Sequence, residues 1–300
     1  MSAIQPFPRH LAVLILALMA CSFAANHVAA RIAFDHETGL LLAMLCRAGV
    51  TAIALGAVVL WQRHSLNLGR RTWAWQISLG LLIAIQSFCI YSAVARIPVA
   101  MALLLVNLSP ILFALVSWAL GGPRPTLAAV GIMLMILMGL VMVLDLPQRL
   151  QDAHIDQTWM IGVGFALLGA VVFAFALWIT EHRLSKIAGS VRSLLTLVVV
   201  CTASGLVGLS GSVPSGLSLP NADAGWIALM CLIVLYGAAF STLFICMPRL
   251  DIGRNAPVMN MEPVAGMLLG WWVLGQMLSP LQVLGGLIVV GGIVLLAYRR

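Results

Sequence analysis

Ten times along the chain, a run of about twenty apolar residues gives way to a short polar break. The runs are Leu11–Ala30, Gly39–Trp61, Trp73–Ala93, Pro98–Leu120, Leu127–Leu144, Trp159–Thr180, Val191–Ser210, Trp226–Met247, Ala256–Leu274 and Leu281–Tyr298. About 20 apolar residues in helix cover a hydrocarbon core of about 30 Å, so each run predicts a membrane-spanning helix. The period-two alternation of a membrane β-barrel strand is missing from the runs, and helices pair their backbone groups internally, as lipid demands. The expected class is an all-α membrane protein with ten transmembrane helices and no soluble domain.

Composition agrees. Hydrophobic residues make up 62% of the chain and charged residues 8%, fewer charges than a water-soluble globule carries. The net charge of +7 invites a nucleic-acid reading until its location is considered. With the N-terminus cytoplasmic, twelve basic residues fall inside: Arg9, Arg63, Arg70, Arg71, Arg124, Arg183, Lys186, Arg192, Arg249, Arg254, Arg299 and Arg300. Three fall outside (Arg31, Arg96, Arg149), and Arg47 lies within a span. That asymmetry is the positive-inside pattern and places both termini in the cytoplasm. Trp61, Trp73, Trp75, Trp159 and Trp226 mark span ends, as an interfacial belt requires. The first run, with its Val28-Ala29-Ala30 pattern, is long for a signal-peptide core and is read as a retained span.

The chain also repeats. A shift of 153 residues lays Arg96 on Arg249, Asn107 on Asn260, Pro110 on Pro263 and Trp118 on Trp271. The halves are expected at 1–147 and 159–300, joined by a connector at 148–158 on the outer face. Five spans per half is an odd number, so the second half enters the membrane from the opposite side. Inverted repeats are typical of secondary transporters, with the substrate site near the midplane between the halves.

Ionisable groups inside a membrane are costly and therefore functional suspects. Arg47 lies in the second run and Glu262 in the ninth. Glu262 is a substrate or proton site, or a structural carboxylate tied to a neighbouring helix; Arg47 binds substrate or braces the halves. Pro110 and Pro263 each remove a helical hydrogen bond, giving a hinge or gate or a static kink. Asn107 and Asn260 stand three residues before them, lining a cavity or bonding between helices. Asn26, His27, Gln86, Trp178 and Tyr236 complete the candidate substrate-binding set. Gly131 and Gly139 in the fifth run, and Gly285-Gly286 and Gly291-Gly292 in the tenth, permit close helix contact between halves or between protomers. The six cysteines all sit in spans, without a C-x-x-C pair, and read as small core residues. No catalytic motif, nucleotide loop, metal site or cofactor site is visible.

These motifs resemble the drug/metabolite transporter superfamily, in its ten-helix EamA branch, over the whole chain. The resemblance is carried by Ala256-Pro257-Val258-Met259-Asn260-Met261-Glu262-Pro263-Val264-Ala265, then Leu274-Gly275-Gln276, then Leu281-Gln282-Val283-Leu284-Gly285-Gly286. Phe23-Ala24-Ala25-Asn26 through Arg31 is similar to the first-helix pattern, and Arg47 matches the second-helix arginine. Phe23 stands where Trp is common and Gln276 where Glu is common. The resemblance implies a multi-pass carrier of the bacterial inner membrane exporting small metabolites, with exporters of aromatic amino acids (the YddG type) as the nearest branch.

The resulting expectation is a secondary transporter of amino acids, aromatic or otherwise neutral, working by alternating access. Runs one, three, four, six, eight and nine are expected to line its central cavity, with five and ten peripheral. Proton coupling is possible, and the protein is a monomer or homodimer with no nucleic-acid partner. The alternative is an exporter of drug-like or quaternary-amine compounds on the same fold. A third is a non-transporting scaffold or lipid-handling protein.

Overall fold

A computed structural model describes residues 7–63, 68–122, 124, 126–143, 156–246, 249–250, 258 and 261–298. The described residues form helices and no strands: α1 (Arg9–Asp35), α2 (Leu40–Trp61), α3 (Arg70–Val94), α4 (Val99–Val106), α5 (Ser109–Ala119), α6 (Leu127–Val143), α7 (Gln157–His182), α8 (Gly189–Leu209), α9 (Asp223–Cys246), α10 (Glu262–Leu274) and α11 (Pro280–Tyr298). Counting α4 and α5 as one segment, seven are long and apolar enough to cross a membrane; α6, α10 and most of α11 are shorter apolar helices. Most of the connector, and the stretch carrying Asn260, lie outside the described residues.

The fourth run is not one helix. Pro110 has no N–H to give the Val106 carbonyl, and α4 ends at Val106. A tight turn follows, with Leu108 N–H donating to Leu105 O at 3.1 Å, and α5 begins at Ser109 with the proline in its first turn. The second half repeats this start. α10 begins at Glu262 with Pro263 in its first turn, 153 residues after Ser109. The sequence repeat is thus a repeat of a proline-marked helix start.

Contacts between helices map onto themselves when the halves are exchanged. α1 packs on α9 and α10, as α7 packs on α3 and on α4 with α5. α2 meets its counterpart α8, and α6 its counterpart α11, while α4 packs on α10 between the halves. The counterparts run antiparallel. Along α2 and α8, a Cβ on Gly205 would lie 3.5 Å from Leu45, one on Gly49 3.5 Å from Cys201, and one on Gly56 4.0 Å from Leu194.

One end of the bundle gathers Arg9, Arg63, Arg70, Arg183, Arg192 and Arg249, where Phe7 N–H donates to Arg249 O at 2.8 Å. The opposite end is tied shut. The loop before α9 lies on the α1–α2 turn, through Gly39 N–H to Ser218 O (2.9 Å) and Asn221 N–H to His36 O (3.1 Å). A side chain on Gly39 would collide with the Gly216 carbonyl. Gly275, at φ 63°, turns the chain out of α10, and the neighbouring Gln276 side chain accepts from Val99 N–H at 3.2 Å. A neutral amide therefore caps the start of α4.

The glycine stripes of α6 and α11 meet each other within the chain. A Cβ on Gly285 would stand 2.5 Å from Gly139 O and 2.9 Å from Val143 N, while Gly131 and Gly291 face open space. Overpacking of this kind costs about 1–3 kcal/mol. Gly285→Leu is expected to lower the thermal unfolding midpoint of the detergent-solubilised protein clearly, and Gly291→Leu to leave it unchanged. Equal effects would remove the glycine contact as the reason for this packing.

Candidate functional site

Five of the nine candidate binding residues converge where the halves meet. α1 supplies Asn26 and His27, α2 Arg47, α9 Tyr236 and α10 Glu262. Two residues that the sequence did not single out, Ser87 and Tyr91, join them from α3. They stand four apart, on one face of the helix, and a tyrosine within an apolar run was the available signal. The second helix, which was not expected to line the site, supplies its cation.

Arg47 is buried, 5% exposed. Its Nη2 donates to Ser87 Oγ at 3.0 Å. Its guanidinium carbon lies 4.6 Å from the Tyr91 ring centre and 4.2 Å from that of Tyr236. One ring comes from each half. Two cation–π contacts and a charged hydrogen bond, each up to about 2 kcal/mol, roughly offset the several kcal/mol it costs to bury the charge. Arg47 is therefore held without a carboxylate, and it makes no ion pair among the described residues.

Glu262 answers to another partner. Its Oε1 lies 3.7 Å from His27 Nε2, an ion-pair distance too long for a hydrogen bond. As the first residue of α10 it also sits where unpaired N–H groups and the helix dipole favour a carboxylate. His27 packs edge-on to Tyr91 at 6.0 Å between centroids, so a row runs Glu262, His27, Tyr91, Arg47, Tyr236. Arg47 and Glu262 occupy its two sides and do not pair.

Several fully buried polar atoms here make no hydrogen bond among the described residues: both amide atoms of Asn26, Nδ1 of His27, Nε of Arg47 and the Tyr91 hydroxyl. The Tyr91 hydroxyl faces the Asn26 amide and Arg47 without hydrogen-bond geometry. Each such atom costs about 1–3 kcal/mol when left unpaired. Beside them Phe23, Tyr236 and Phe240 form an aromatic wall, with Tyr236 and Phe240 stacked at 5.1 Å and Phe23 edge-on to Tyr236 at 5.9 Å. Phe23, where a tryptophan is common, keeps an aromatic contact.

The remaining candidates lie elsewhere. Asn107 donates through Nδ2 to Leu103 O of its own helix at 2.8 Å; local back-bonding satisfies the amide, in place of a cavity or a neighbouring helix. Gln86 is half-buried, and its side chain makes no hydrogen bond to the described residues. It precedes Ser87 by one residue and so points to another face of α3. Trp178 stacks on His182 at 5.1 Å and lies 5.4 Å from the Arg183 guanidinium, at the basic end of the bundle. Pro263 is buried at the start of α10, Pro110 lies in the first turn of α5, and Asn260 is outside the described residues. A cavity of about 380 Å³ between α1, α9 and α10 is lined only by apolar residues, among them Val28, Ile32, Ile227 and Leu269; the polar cluster is not part of it.

Arg47 faces no carboxylate among the described residues, so an apolar residue of similar size in its place strands no charge, whereas removing one partner of a buried ion pair costs about 3–5 kcal/mol. Arg47→Met is expected to keep the thermal midpoint of the wild-type protein. A fall corresponding to about 3 kcal/mol or more would make Arg47 a brace between the halves.

No curated protein matches the chain. A protein known from a crystal structure is 23% identical and covers 97% of this chain and 99% of its own, with a TM-score of 0.64; the likeness establishes the fold. Residues 10–145 match the EamA-like transporter family, and residues 160–298 match it a second time. With a match in each half, together covering nearly the whole length, the chain belongs to the EamA-like transporter family.

Proposed function

We propose that this protein is a secondary transporter of the bacterial inner membrane that exports small metabolites of the amino-acid class. It crosses the membrane ten times with both termini cytoplasmic. Its halves, 1–147 and 159–300, are inverted and joined by 148–158. The antiparallel pairing of α2 with α8 and of α6 with α11 supports the inversion. The basic residues gathered at one end of the bundle support the orientation.

One observation carries the reading: a cation, a carboxylate and an aromatic wall meet at the seam between two symmetric halves. Arg47 and Tyr91 come from the first half, Tyr236 and Glu262 from the second. When the halves rock against each other, the Arg47–Tyr236 and His27–Glu262 contacts between them must remake. A site on such a seam is exposed to one side or the other, as alternating access requires. The tied end near Gly39 and Val99 closes one side, and the breaks at Pro110 and Pro263 are the gate candidates. Asn26, His27, Arg47, Tyr236 and Glu262 bind substrate in this reading, and no metal or cofactor is needed.

A quaternary-amine exporter draws support from Glu262 beside an aromatic wall. It is disfavoured because Glu262 already faces His27 and Arg47 repels a cation.

The test is uptake of radiolabelled amino acids into liposomes holding the purified protein, with and without a pH gradient. Saturable uptake competed by several amino acids is expected; no uptake with folded protein would reject the amino-acid class. Glu262→Gln is expected to abolish any dependence on the pH gradient while sparing counterflow. Equal loss of both would make Glu262 a binding or folding residue.

A further inference from the structure

We propose that Arg47, Tyr91 and Asn26 form a receptor for a carboxylate, and that the carried class is apolar monocarboxylates whose amino group is dispensable. This rests on the transporter reading for what the site does, but not for what it binds.

The geometry of Arg47 decides which of its directions are free. The guanidinium carbon lies over the Tyr91 and Tyr236 rings, 4.6 and 4.2 Å from their centres. Nη2 donates to Ser87. Nε, on an in-plane edge, is buried and donates to nothing among the described residues. In-plane edges are where guanidinium groups bind carboxylates, often with two parallel hydrogen bonds. The neighbouring Tyr91 hydroxyl and Asn26 Nδ2 are further buried donors without a partner among the described residues. Both residues are 0% exposed.

Charge settles the sign. Among the described residues, Glu262 lies beside His27 and Asp35 beside Arg31, so neither carboxylate contacts Arg47. At the guanidinium itself the local charge is positive and favours an anion. For an ammonium group the buried unpartnered atoms beside Tyr91 that can accept are neutral ones, Asn26 Oδ1 and a His27 ring nitrogen. An α-amino acid is therefore accepted, but its amine adds little. The aromatic wall begins one helical turn from Asn26, at Phe23, and shares Tyr236 with Arg47. It matches a flat apolar body behind the carboxylate.

The experiment is a calorimetric titration of the purified detergent-solubilised protein with phenylalanine, 3-phenylpropionate and phenethylamine. These share a skeleton and differ in charge. Phenylalanine and 3-phenylpropionate are expected to bind within about threefold of each other, and phenethylamine to bind at least about tenfold more weakly, the worth of one charged hydrogen bond. Arg47→Met is expected to lose about tenfold or more for both acids. Tyr91→Phe keeps the ring under the guanidinium and is expected to lose severalfold, with unchanged thermal stability. Phenethylamine binding as tightly as the acids, neither acid binding the wild type, or full affinity in a folded Arg47→Met protein would each overturn the proposal. Flux measured in liposomes separates the two readings. Acids that bind without crossing would defeat the transporter reading and leave the receptor, whereas flux of the amine alone would do the reverse.

Discussion

In hydrocarbon, each backbone N–H and C=O must find its partner within the protein, and the architecture follows from where this chain breaks that rule. Helices meet it over almost every described segment. Proline lies at equivalent positions of the two halves, in the first turns of α5 and α10, and α4 ends at Val106 before the first of them. A helix start carries unpaired N–H groups. At α10 the first residue of that start is Glu262, which the middle of a helix in lipid would tolerate poorly. At α4 the Asn107 amide bonds back to Leu103 O and quiets the interruption. One substitution pattern thus serves two ends: a placed charge in the second half, a silent kink in the first.

The two-fold pattern of helix contacts makes departures from symmetry informative. Ser109 stands at the repeat equivalent of Glu262. The carboxylate sits where one copy has given up the neutral residue of the other. Symmetry supplies two nearly equivalent packings of the halves, and asymmetry supplies chemistry at the seam. Aromatic rings reconcile the two demands. Tyr91 and Tyr236 solvate a cation without adding an anion, so Arg47 stays in a dry interior while keeping its electrostatic reach.

Much of this was legible from residue order. Apolar run length determined the helical class and the approximate ends, because bilayer thickness fixes how many residues a span needs. The 153-residue repeat, the two prolines, Arg47 and Glu262 were visible as exceptions to an apolar background. Run length alone could not divide the fourth segment, since hydropathy does not register a missing N–H. Nor could it assign the glycine stripes, which serve the α6–α11 contact within the chain.

Partnership was decided only by the tertiary structure. Residue order does not say whether Arg47 and Glu262 meet; packing gave Glu262 to His27 and Arg47 to two tyrosines. Trp178 read as well as Tyr236 for an aromatic lining, yet one lies at the basic end of the bundle and the other against Arg47. The reason is physical. Hydropathy and bilayer thickness act on each segment separately and can be read residue by residue. Which side chains meet depends on the rotation and depth of each helix against its neighbours, set by packing between residues far apart in the chain.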